Sequence, residues 1–128
     1  MSGTQIIWLV AGVMILFFSI RRLLKVRAVK HYSASDISGL MKNRSIILLD
    51  VRTASERNSS SIKGSLHIPL NELRMKTDSL KKYSDKEIVC YCRSGNRSLN
   101  AAMILQKNGF KTASLKGGIL SWNQSQKH

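Results

Sequence analysis

Hydrophobic and polar positions divide this chain into two regimes. Ile6 to Ile20, IIWLVAGVMILFFSI, carries no charge and almost no polar atom. Fifteen helical residues rise about 22 Å, short of the roughly 30 Å hydrocarbon core of a bilayer. Gly3 and Thr4 extend the run at one end, and Leu23 and Leu24 at the other, with Arg21 and Arg22 snorkelling outward. Residues 3–24 are thus long enough to span, and the lipid bilayer is their expected partner. A cleaved signal peptide wants basic residues before the apolar run and small residues at a cleavage site. MSGTQ has no basic side chain, and the run ends in Phe17, Phe18 and Ile20. A buried core helix would show a polar stripe, and none is visible. An uncleaved anchor is the expectation.

From residue 31 onward the pattern alternates. Ser33 to Lys42 opens with side-chain acceptors suited to a helix start, and Ile37, Leu40 and Met41 supply an apolar face. Ile46 to Val51, IILLDV, is a continuous apolar run of strand length, the mark of a strand covered on both faces. Leu66 to Leu70 is a short extended piece that Pro69 keeps near an edge or end. Asn71 to Tyr83 fits one broken helix or two short turns. Glu87 to Cys92, EIVCYC, is a second buried strand, followed by an amphipathic helix that ends at Gly109. FKTASL and GGILSWNQSQ supply a third strand and a last short helix, and Asn58 to Ser61 is the only soft segment. Strands separated by helices predict an α/β domain, a parallel sheet flanked by helices on both faces, preceded by one transmembrane helix. The expected divisions are an anchor at 1–25, a basic juxtamembrane linker at 26–31, the α/β domain at 32–125 and a tail at 126–128.

Charge adds orientation. The formal net charge is +14, and Arg21, Arg22, Lys25, Arg27 and Lys30 follow the span with nothing basic before it. Positive residues stay on the cytoplasmic side. A single-pass membrane protein is expected, amino terminus out and the following domain cytoplasmic, its five basic residues against anionic headgroups. Setting those five aside leaves about nine positive charges in excess. Lys81, Lys82 and Lys86 are scattered among acids with no aromatic stacking platform, so solvated surface is expected rather than nucleic-acid binding. Gly12 has no small partner four positions away, so no small-residue dimer motif is present, and oligomeric state is not readable.

The candidate chemistry lies in YCRSGNRS. The two cysteines, Cys90 and Cys92, are two apart and badly placed to bond each other, which favours a reducing compartment. Cys90 reads as core, with a resolving thiol as the other possibility. Cys92 ends a buried strand before a short loop and a helix, where parallel sheets form their ligand sites. Amides of the loop can converge on an anion there. Gly95 permits the tight path, and Asn96 is the other residue type that tolerates positive φ. With Arg97 and the helix dipole, the loop favours a thiolate at neutral pH without a His or carboxylate base.

These residues also resemble a known family. Leu48 to Glu56 (LLDVRTASE), Ile62 to Leu73 (IKGSLHIPLNEL), Ile88 to Ser98 (IVCYCRSGNRS) and Leu115 to Trp122 (LKGGILSW) are similar, in order, to the motifs of single-domain rhodaneses, over about residues 31–125. The resemblance implies a rhodanese-like parallel sheet and a thiosulfate sulfurtransferase-like enzyme. Cys92 would be the nucleophile, carrying sulfane sulfur as a persulfide from a small anionic donor to a thiol or cyanide acceptor. No metal and no cofactor beyond that covalent sulfur is implied. Arg93, Ser94, Gly95, Asn96 and Arg97 would bind the donor. Arg52 and Glu56 would pair as structural support, with Asp50 fixing nearby backbone. A protein sulfur donor or acceptor, served by a non-enzymatic relay or docking module, is the alternative.

Two departures bear on this reading. Between Glu56 and Ile62 the family places an aromatic and then Gly-His, whereas this chain has Arg57, Ser60 and Ser61. A looser turn and a lost hydrogen bond are expected. Phosphatases and arsenate reductases of related fold place five residues between their Cys and Arg. Here there are four, Arg93 to Asn96, a ring better suited to a sulfur on Cys92 than to a tetrahedral phosphate.

Overall fold

The structure, a computed structural model, describes residues 1–127, and for residues 25–28 the backbone alone. The contribution expected of Lys25 and Arg27 at the bilayer, and the last tail residue His128, lie outside the described residues. Helix α1 (Gly3–Ala28) contains a 22-residue stretch, Gly3–Leu24, apolar and long enough to cross a membrane, none of it buried against protein. The helix continues to Ala28 and strand β1 (Lys30–Tyr32) begins two residues later. Most of the segment expected to be linker is therefore helix and strand.

The rest alternates as the pattern implies. In chain order it comprises α2 (Ala34–Lys42), β2 (Ile46–Asp50), α3 (Ala54–Ser59), β3 (Leu66–His67) and α4 (Leu70–Lys76). A 3-10 stretch (Thr77–Tyr83), β4 (Glu87–Tyr91), α5 (Asn96–Lys107), β5 (Thr112–Leu115) and α6 (Gly118–Gln126) complete it. All five strands are parallel, in the order β1-β5-β4-β2-β3, with Leu48 opposite Val89 and Cys90 opposite Ser114. The apolar runs of β2 and β4 form the middle of this sheet because they alone are uniform enough to be covered on both sides. One face packs Leu49, Ile88, Cys90 and Cys92 against Leu73, Ala101 and Leu105 of α4 and α5. The other packs Leu48, Val89 and Tyr91 against Ile37 of α2 and Ile119 of α6.

Short elements depend on their caps. Ser33 and Asp36 form a reciprocal capping box on α2, and Thr53 and Glu56 form another on α3. The sequence pattern of α3 is polar throughout, so no periodicity marked it. Residues 71–83 resolve into the broken form, a short α-helix continued as 3-10.

Candidate active site

Strand β4 stops at Tyr91, so Cys92 is the first residue past the strand rather than its last, and it opens the loop to α5. Gly95 turns that loop with φ +129°, a value that strains any residue with a Cβ. Asn96, though of a type that tolerates positive φ, does not adopt it, because it already begins the helix.

The Gly95 amide donates to Cys92 Sγ at 3.0 Å, and the thiol reaches Ser98 Oγ at 3.6 Å. The Ser98 hydroxyl lies 2.9 Å from the Gly95 carbonyl, to which it donates, and 2.7 Å from Ser114 Oγ. Cys92 is only 1% exposed, and that burial pushes its pKa up. The Ser98 amide and hydroxyl and the Gly95 and Ser94 amides outweigh it, holding the thiol below its ordinary range. Cys90 shows the contrast: wholly buried without such donors, its thiol is pushed far upward. Both cysteines are free.

A second fastening comes from the start of α6. The Ile119 amide donates to the Cys92 carbonyl at 2.9 Å, and the Leu120 amide to the Arg93 carbonyl at 3.3 Å. Such proximity needs Gly118, where an added Cβ would meet both carbonyl oxygens at 2.4 Å. Ser98, Ser114 and Gly118 were not singled out by reading the sequence. Ser98 falls one turn into the helix behind Cys92, and that spacing was the available signal.

The charged residues pair differently from expectation. Arg52 does not meet Glu56: its Nε and Nη2 grip Asp50 at 3.0 and 2.8 Å, and Asp50 Oδ1 also accepts the Arg52 amide at 3.0 Å. Burial pushes the Asp50 carboxyl up, but the Arg52 guanidinium and amide and the Tyr91 hydroxyl bring it below its usual range. Glu56 instead takes Arg97 in two bonds of 2.6 and 2.8 Å. Those bonds, aided by Thr53, lower its pKa to about 2. Arg97 is thus largely neutralised by Glu56, leaving Arg93, Ser94 and Asn96 exposed at the rim. What lowers the Cys92 pKa is chiefly amides and a hydroxyl.

The turn after α3 is not the loose one expected. Arg57 turns inward, donating to Ser65 Oγ and the Ser65 carbonyl at 2.7 Å each and to Asp50 Oδ2 at 3.3 Å. The buried Tyr91 hydroxyl accepts from the Ile62 amide at 3.1 Å and meets Ser65 Oγ at 2.9 Å. Arg57 fills the place of an aromatic with hydrogen bonds.

Cys92 thus sits in an amide-lined loop at the carboxyl end of a central strand of a parallel α/β domain. The Rhodanese-like domain family matches residues 33–125, and the chain belongs to it. It is 32% identical over 84 residues to a sulfurtransferase of Allochromatium vinosum, covering 65% of this chain and 77% of that one. It is 38% identical over 82 residues to the Bacillus subtilis protein YtwF, with 64% and 78% covered. The structure of a rhodanese-related protein from Thermoplasma volcanium superposes with a TM-score of 0.69 at 34% identity, covering 75% of this chain and 92% of that one.

Proposed function

We propose that the protein is a membrane-anchored sulfurtransferase that moves sulfane sulfur through a persulfide on Cys92. The observation that carries this is the Gly95 amide 3.0 Å from Cys92 Sγ, at the head of a helix that also presents Ser98. In the first step the thiolate attacks the outer sulfur of thiosulfate, the S–S bond breaks, and sulfite leaves with the electron pair. The persulfide carries the single negative charge the thiolate had, so the same amides hold it. A thiolate or cyanide then attacks the outer sulfur, forming a persulfide or thiocyanate and returning the Cys92 thiolate. Arg93, exposed beside Cys92, offers the rim charge for an anionic donor. No cofactor enters either step.

The apolar stretch Gly3–Leu24 supports the anchor, at about 33 Å of helix. The basic residues that follow it favour a cytoplasmic domain.

Mass spectrometry after thiosulfate treatment tests the reading. One added sulfur atom on Cys92, released as thiocyanate by cyanide and absent in Cys92→Ser, is expected. Sulfur transfer retained in Cys92→Ser refutes it. A wild type silent to thiosulfate but loaded by a protein persulfide would make the domain a relay.

A further inference from the structure

A cavity of about 400 Å³ opens where the carboxyl-terminal part of α1 passes α5 and α4. Phe18 and Met103 form an apolar wall, while Arg21, Arg22, Arg74 and Lys107 bring four cations to it. No carboxylate lines it, and none of the four cations is in an ion pair among the described residues. A smaller cavity of about 290 Å³ adjoins it through Arg74 and Lys107.

Four like charges converging on one hollow repel unless an anion sits among them. Guanidinium forks match phosphate oxygens in pairs, and an ammonium adds a point charge. The apolar wall decides which phosphate. Phe18 belongs to the stretch Gly3–Leu24, which protein borders here but nowhere buries. A bilayer around that stretch puts hydrocarbon at Phe18 and headgroups at Arg21 and Arg22.

We propose that this cavity binds the phosphate of an anionic phospholipid, with its acyl chains along Phe18, and so holds the α4–α5 face of the domain against the bilayer. This rests on the reading of α1 as a membrane span. The active-site loop lies at the opposite end of α5 from Lys107, about 16 Å along the helix, and stays clear of the lipid.

The test titrates the full chain, in neutral detergent micelles, with dihexanoyl phosphatidylglycerol or phosphatidylcholine, counting bound lipid by native mass spectrometry. Saturable binding of the phosphatidylglycerol alone is expected, with Arg74→Gln/Lys107→Gln binding about tenfold or more weakly. Both side chains are exposed, and unchanged Cys92 alkylation in the variant reports an intact fold. Absence of saturation, equal binding by the variant, or displacement by inorganic phosphate at equal concentration overturns the proposal. Flotation of the full chain with neutral phosphatidylcholine vesicles after carbonate wash reads the span separately. A chain that floats but binds no phosphatidylglycerol overturns the lipid site alone, while one that fails to float overturns the span and the site together.

Discussion

Glu56 and Arg97 meet in a two-bonded ion pair that ties α3 to the first turn of α5, 41 residues away in sequence. Six residues of polar helix do not hold themselves together in water. The capping box at Thr53, this pair and the bonds of Arg57 to Ser65 and Asp50 anchor α3 beside the Cys92 loop.

The pair makes stability depend on acid. Glu56 has its pKa lowered from 4.5 to about 2, so its contribution is fully present above about 4.5 and disappears as pH falls toward 2. Its side chains remain 35% and 30% exposed, which limits the contribution near neutrality to about 0.5–1 kcal/mol. In Glu56→Gln the unfolding free energy from urea titration at pH 7 should fall by that small amount. Between pH 5 and 2.5 the wild type should lose its advantage, and a constant gap between the two would contradict the assignment.

Ser98 bears directly on the thiolate. Its hydroxyl is the one side-chain hydrogen-bond partner of Cys92 Sγ among the described residues: it accepts from the thiol, and on ionisation of the sulfur it can turn its proton from the Gly95 carbonyl to Sγ while still meeting Ser114. Ser98→Ala removes a hydrogen bond to a charged group, an interaction worth about 1.5 kcal/mol. Alkylation of Cys92 at pH 7 should slow about tenfold, recovering as pH rises, and Ser98→Thr should restore much of the rate. An unchanged rate profile in Ser98→Ala would leave the amides alone responsible.

Arg57 should prove structural. Asp50 is completely buried, with Arg52, Arg57 and the Tyr91 hydroxyl around it. Arg57→Ala orphans the Ser65 carbonyl and weakens the compensation of Asp50, at about 2 kcal/mol. Thermal melts should show that loss, while sulfur loading of Cys92 per folded molecule stays near wild type.

How much of this was legible followed from which signals are local. The runs at Ile46 and Glu87 declared central strands because burial on both faces leaves no polar alternation. Cys92 declared itself through the Gly95 turn that follows it. β1 was hidden because three residues, Lys30 to Tyr32, carry no strand pattern of their own and are ordered by pairing with β5. α3 was hidden because capping, not hydrophobic period, makes it a helix. The partners of Arg52, Glu56 and Arg57 were beyond reach for a different reason. Three cations and two carboxylates in one neighbourhood can pair in several ways, and only the fold selects among them. Arg44, at φ 55°, left no legible cue either, being neither Gly nor Asn.

Gly118 places the site's geometry under a single hydrogen atom. Its φ of +60° already disfavours a side chain, and its missing Cβ is where the Cys92 and Arg93 carbonyl oxygens sit. Those contacts are backbone on both sides, so no side chain can rotate out of the way. Gly118→Ala must therefore push α6 from the loop, breaking the bonds from Ile119 and Leu120 to those carbonyls. The expected cost is at least about 2 kcal/mol in urea unfolding. Because Gly95 and Ser98 hold the sulfur from the same loop, the displaced Cys92 should also alkylate more slowly at neutral pH. Gly117→Ala, also at positive φ, meets the Ser121 side chain instead, and should lower stability while leaving the alkylation profile in place. Equal effects of the two substitutions on that profile would show that α6 does not position the sulfur.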